Sequence, residues 1–187
     1  MIVDCHTHWG ECFQKRDGLD PSQWLAGEAC HGVTHAVVAP LIGLHDDTLL
    51  PRENEDLATV CAASGGRMIP FCTVNPYRKD TAVAEFRRCV EVLNMRGLKI
   101  HPWVQGASLN GDTMDELCEM AGHWKIPLLF HDGTPCYSLP SQMALLARRH
   151  PATTMILGHS GCSSIGARRL RPCVTRRTSG AACAARI

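Results

Sequence analysis

Short apolar runs alternate with helix-like stretches along most of the chain, and this rhythm limits the possible folds more than any other feature. Strands are predicted at residues 2–8, 34–39, 68–74, 97–101, 127–131 and 154–158. Helices are predicted at about 21–31, 53–64, 80–94, 112–124 and 139–149. Local punctuation agrees: Asp20-Pro21 opens the first helix, Pro40 stops the second strand, Gly65-Gly66 ends the second helix and Asp80 caps the third. The strands recur roughly every 30 residues with a helix between each pair, the signature of a parallel sheet built from βαβ units. An open doubly wound sheet and a closed barrel both fit that order. No Gly-x-Gly-x-x-Gly loop follows the first strand, which counts against a dinucleotide fold.

The polar residues favour the barrel. The strands finish in His-Thr-His (6–8), Val-Asn (74–75), Lys-Ile-His (99–101), Phe-His-Asp (130–132) and Gly-His-Ser (158–160). In a (β/α)8 TIM barrel the C-terminal strand ends form one rim, where active sites sit. The expected fold is therefore α/β of the (β/α)8 TIM-barrel type, incomplete, with about six βα units. His6 and His8 lie two apart on a strand, so alternation puts both on one face, with Asp4 sharing their parity. Neutral imidazoles are common ligands of zinc and related metals, and a catalytic site needs about three protein ligands plus an open position. His6, His8 and His131 supply such a set, the alternative being structural histidines with ordinary partners.

Composition excludes little else. Hydrophobic residues make up 45% and charged residues 20% of 187, ordinary globular values, and the net charge of +1 gives no field for nucleic acid or anionic membrane. No apolar run approaches the ~20 residues of a membrane-spanning helix, and the start lacks the features of a signal peptide, so a cytoplasmic location is expected. The 11 cysteines include no Cys-x-x-Cys pair and read as small hydrophobes in a reducing compartment. The expected partner is a small-molecule substrate, with no nucleic acid and no membrane.

Asp4-Cys5-His6-Thr7-His8 resembles the Asp-x-His-x-His opening of the amidohydrolase superfamily. Gly97-Leu98-Lys99-Ile100-His101-Pro102, Phe130-His131-Asp132-Gly133 and Gly158-His159-Ser160-Gly161 resemble strand ends four to six of its amidohydrolase-related (amidohydrolase 2) branch. That branch holds hydrolases and metal-dependent decarboxylases. The resemblance implies that His6, His8 and His131 ligate a divalent metal ion, zinc by preference, and that the catalytic His159 stands beside the metal-bound water or substrate, polarising it or shuttling a proton. Lys99 has two readings, a carboxylated lysine bridging two metals or a charge that orients an anionic substrate; the second is favoured because the branch resembles single-metal enzymes. His101 faces the same way and is read as a substrate contact or a structural residue. Trp9 and Trp103 wall the pocket or pack in the core. His31, His35, His45, His123 and His150 are placed away from the rim.

The pattern breaks late in the chain. The family's acidic ligand at the end of the eighth strand has no candidate, since neither Asp nor Glu occurs after Asp132. Residues 1–161 read as a partial metal-dependent hydrolase barrel. Residues 162–187, with Arg168-Arg169, Arg171 and Arg176-Arg177, read as an atypical Arg/Ala-rich tail from a shifted reading frame or truncated gene. Six strands leave the first and sixth as open edges, which predicts association into homo-oligomers or poor solubility. The leading expectation is a metal-dependent hydrolase acting on amide or ester-like bonds through a metal-activated water. Behind it stand a metal-dependent decarboxylase of an unsaturated or aromatic acid, and an inactive truncated family member. A superfamily deoxyribonuclease is disfavoured, because a glutamate would be expected where Lys99 stands.

Overall fold

The computed structural model describes residues 1–10 and 20–160, so the expectation for the tail at 162–187 lies outside the described residues. Its strands are β1 (Val3–Trp9), β2 (His35–Pro40), β3 (Met68–Thr73), β4 (Gly97–Ile100), β5 (Leu128–Phe130) and β6 (Met155–Leu157). Between them run α1 (Pro21–Cys30), α2 (Leu50–Ala62), α3 (Asp80–Glu91), α4 (Asp112–Trp124) and α5 (Pro140–Arg149). All neighbouring strands pair in parallel, in the order β1-β2-β3-β4-β5-β6. The sheet curls into an incomplete (β/α)8 TIM barrel, as expected. Within the described sheet β1 and β6 are edges with one neighbour each.

Alternation along the strands divides the apolar side chains between two cores. One face meets the helices: Val38, Cys72, Leu98, Ile100, Leu128 and Phe130 pack with Leu57, Phe86, Leu117 and Leu146 from α2 to α5. The other face turns inward, where Val37, Ala39, Phe71 and Leu129 form a second cluster with Ile69 and Ile156 against it. Apolar side chains on both faces are what a parallel sheet under helices requires. Cys61, Cys72, Cys89 and Cys118 are buried free thiols, filling space as small hydrophobes do.

Three local expectations need correction. Asp80 is the first residue of α3 rather than its cap; Lys79 holds the cap position with φ 48° and no side-chain cap bond. Two 3-10 turns, Ile42–Leu44 and Asp47–Leu49, occupy the loop after β2, and α2 then starts at Leu50 rather than 53. The Asp46 carboxylate accepts from the Thr48 amide and starts the second turn. α3 ends at Glu91, short of 94.

Candidate metal centre

The site begins with an irregularity in β1. Asp4 pairs with Ala36 and Thr7 with Val38, so Cys5 and His6 together oppose Val37. This is a β-bulge, and the extra residue resets the alternation. Ala36 belongs to the helix-facing core and Ala39 to the inward cluster. Asp4 therefore shares the outer face with Ala36, contrary to the parity expected, while His8, paired with Ala39, faces inward. Thr7 Oγ1 donates to the Val37 carbonyl at 2.8 Å, and Asp4 Oδ1 accepts the His6 amide at 3.0 Å, so the bulge leaves these groups partnered.

Above the apolar inward cluster, the same face turns polar. Thr73 pairs with Lys99, and Lys99 with Leu129, which places Lys99 in the lumen with no exposed surface. Lys99 Nζ lies 2.7 Å from His6 Nε2. The His6 ring is 5.3 Å from that of His8 and 4.8 Å from that of His159, centroid to centroid. His131 stacks on His101 at 3.7 Å with planes 13° apart, and its Nδ1 is 2.9 Å from His159 Nε2. His6, His131 and His159 each present a ring nitrogen within 4.8 Å of the others, a group able to hold a metal ion. His8 stands beside this group; its Nδ1 lies 3.3 Å from the Pro40 carbonyl. A carbonyl only accepts, so that contact selects the tautomer with the lone pair on Nε2. Gly158 makes the space for His6: a Cβ there would stand 2.8 Å from His6 Nδ1 and 2.9 Å from the Phe130 carbonyl oxygen.

Burial sets the charge state. Desolvation, reinforced by Lys99, pulls His6 down to about 3 and His8 to about 4. His101 falls to about 4 for the same two reasons. His131 is lowered by burial and then by His101, and His159 by burial and then by Lys99. Burial also lowers Lys99 to about 7, opposed by Asp132. The imidazoles are thus neutral at pH 7 with lone pairs available, the form a divalent cation needs. The donor set fits a borderline metal such as zinc.

The mouth of the site holds residues that sequence reasoning placed elsewhere or did not assign. His45, expected away from the rim, is there because the 3-10 turns after β2 fold back over the strand ends. It lines a cleft of about 300 Å³ with Asp47, Asn75, Arg78 and Gln105. Arg78 grips Asp47 through Nε at 2.6 Å and Nη2 at 3.0 Å, tying the loops after β2 and β3 together. Trp103 is exposed with its ring 6.3 Å from that of His101, whereas Trp9 packs edge-to-face on Trp24 of α1, in the outer core. Asp132, Gln105 and Gly158 received no individual role from the sequence. Asp132 and Gly158 sit inside recognisable strand-end motifs, but Gln105 carries no comparable signal.

A family model described as amidohydrolase matches residues 3–180. The chain belongs to the amidohydrolase family. No curated protein matches it. Among solved structures, this amidohydrolase-family chain is similar to a Staphylococcus aureus protein assigned as an amidohydrolase, with TM-score 0.66 and 19% identity over 86% of this chain and 68% of that one. It is similar also to 5-carboxyvanillate decarboxylase from Novosphingobium aromaticivorans, complexed with manganese (TM-score 0.65, 18% identity, 86% and 66% covered). A third is 4-oxalomesaconate hydratase from Rhodopseudomonas palustris (TM-score 0.64, 16% identity, 86% and 64% covered). At these identities the likeness establishes the fold. The chain spans about two thirds of the length of each. Among the described residues no helix is long and apolar enough to cross a membrane.

Proposed function

We propose that this chain is a metal-dependent hydrolase acting on an amide or ester-like bond of a small molecule. In this reading His6, His8 and His131 hold a divalent ion, zinc by the chemistry of an all-imidazole set, and His159 moves the proton. The observation that carries a metal centre is the convergence of the His6, His131 and His159 ring nitrogens within 4.8 Å, with the His8 ring beside them, 5.3 Å from that of His6. When bound, such an ion supplies Lewis-acid polarisation of a carbonyl and makes water more acidic. The protein's own residues do the rest. The Pro40 carbonyl orients His8 by accepting from Nδ1, the kind of support that metal-ligating histidines generally have. His159, exposed at the mouth, is within reach of an incoming substrate, and its Nε2 contact with His131 Nδ1 at 2.9 Å orients the ring for proton transfer there. His101 braces His131 by stacking, and Lys99 beneath the ring layer gives the lumen a positive bias suited to an anionic group.

Metal analysis of the purified chain and its variants tests the assignment. His6→Ala, His8→Ala and His131→Ala are expected to lose stoichiometric metal, while His159→Ala keeps metal and loses turnover. Metal lost from His159→Ala but retained in His8→Ala would make His159 the third ligand in place of His8. Stoichiometric metal in all four variants would remove the centre altogether.

Decarboxylation of a small unsaturated or aromatic acid is the second reading, supported by the decarboxylase among the solved relatives and by the lysine in the lumen. Carbon dioxide release, measured against appearance of a hydrolysed bond in a substrate screen, separates the two. The proposed partner is a small molecule, and the half-buried edge strand β1 supports self-association, which sizing chromatography would read.

A further inference from the structure

At the rim, backbone amides of histidines are caught by side-chain oxygens where the regular ladder gives out. In the β1 bulge, the His6 N–H donates to Asp4 Oδ1 at 3.0 Å. Beyond the end of β6, the His159 N–H donates to Asp132 Oδ1 at 2.7 Å, and Asp132 is fully buried. Past the end of β4, the His101 N–H donates to Gln105 Oε1 at 2.8 Å. The Gln105 side chain also donates through Nε2 to the Val74 carbonyl at 2.8 Å, and its own amide donates to the His101 carbonyl at 3.0 Å. The amide side chain thus stands in for a peptide group between the two strand ends. His131 needs no such device: its N–H donates to the Ile100 carbonyl at 2.9 Å, a regular ladder bond.

We infer that Asp4, Asp132 and Gln105 are positioning residues, each fixing the backbone of one rim histidine so that the rings converge before any ligand arrives. The inference rests on the reading of the histidines as a metal centre. A chain that leaves the ladder has several accessible backbone conformations, and a small rotation at Cα swings an imidazole by more than a metal–nitrogen bond tolerates. An oxygen accepting the histidine's own N–H removes that rotation at its origin. What the device requires is an acceptor oxygen rather than a negative charge, which Gln105 illustrates by doing with an amide what Asp4 and Asp132 do with carboxylates. Asp4 is instructive, because the bulge turns it to the face opposite His8. It can therefore aim His6 from outside the lumen.

The test titrates the full chain with Co²⁺, followed by the visible spectrum of the bound ion, with far-UV circular dichroism to confirm folding. Asp4→Ala and Asp132→Ala are expected to weaken Co²⁺ binding about 10- to 100-fold, the usual cost of losing a supporting partner, and to alter the spectrum. Asp4→Asn and Asp132→Asn keep an acceptor oxygen and are expected to stay close to the parent. Gln105→Ala acts only through the His101 stack on His131 and should give a smaller loss, which Gln105→Glu should not fully restore because a carboxylate cannot donate to the Val74 carbonyl. If Asp132→Ala does not fold, Asp4→Ala decides, because β1 is half-buried and tolerates truncation. Alanine variants that match the parent in affinity and spectrum overturn the inference, as do asparagine variants that lose as much as alanine. Amide hydrogen exchange at His6 supplies a readout without metal. Should the parent bind no Co²⁺ while His6 protection is lost in Asp4→Ala and kept in Asp4→Asn, the metal reading falls and the positioning role stands. Unchanged protection in Asp4→Ala overturns the positioning role instead.

Discussion

The inward face of the sheet has two layers that use similar geometry for opposite ends. Near the N-terminal ends of the strands, Val37, Phe71 and Leu129 close the lumen with apolar contacts, and Gly97 leaves room for Phe71: a Cβ there would meet the ring at 2.4 Å. Near the C-terminal ends, His6, Lys99, His101 and His131 fill the same face with basic groups, and Gly158 leaves room for His6. In the lower layer the vacated volume is repaid in packing. In the upper layer it holds imidazoles that burial keeps neutral, which costs stability whenever protons are plentiful. The lower layer is thus a plug and the upper one a set of donors waiting for a cation.

Perturbing each layer separately should show this division. The largest effect is expected from His131→Ala, which should reduce metal affinity by more than the roughly 100-fold typical of losing a supporting partner, with little change in Tm of the metal-free chain. Isothermal titration and thermal melts read the two quantities. Next come the paired glycines. Gly97→Ala overpacks the plug and should cost about 1–3 kcal/mol of stability while folded molecules bind metal normally. Gly158→Ala should instead impair metal binding first, since its Cβ displaces His6. If both substitutions gave the same ratio of stability loss to affinity loss, the layers would not be distinct.

The third expectation concerns pH. His6, His8 and His101 have folded pKa values of about 3 to 4, below the ordinary histidine value of 6.5, so the unfolded chain binds more protons in between. Their contribution to stability is complete above about pH 6.5 and is lost as pH falls towards 4. Lys99, lowered to about 7 from 10.5, acts with the same sign in a higher window, adding stability as pH rises above 7. Melts of the metal-free chain should show Tm rising with pH across both windows, and a flat profile would contradict the burial of these groups. The smallest effect is assigned to Thr73, whose Oγ1 is the buried side-chain polar atom without a partner among the described residues. Thr73→Val removes that orphan and should stabilise by about 1 kcal/mol, read by denaturant titration.

The strand and helix order was legible because parallel strands covered on both faces are short, apolar and regularly spaced, and the helices between them carry ordinary start and stop signals. The rim histidines were legible for a related reason, since strand C-terminal ends can be located once the strands are. What was hidden depended on pairing register. Nothing in Asp4-Cys5-His6-Thr7-His8 announces a bulge; only the match of Asp4 to Ala36 and Thr7 to Val38 exposes it. His45 was misplaced because the fold-back of the 3-10 turns depends on contacts such as Arg78 with Asp47, made across distant loops. Gln105 was missed because an amide one turn after a strand is commonplace, and its role follows from where Val74 lies.

Strand order has one more consequence. Among the described residues His6 belongs to the first strand of the sheet and His159 follows the last, so the cluster joins the two ends of the described sheet. Whatever grips rings from both would work as a clasp, closing a loop that contains nearly every described residue and removing much of the freedom with which β1 and β6 could move apart. In such a molecule occupancy of the centre and integrity of the shape would become a single property, and a chelator would act on the sheet's curvature as much as on its chemistry.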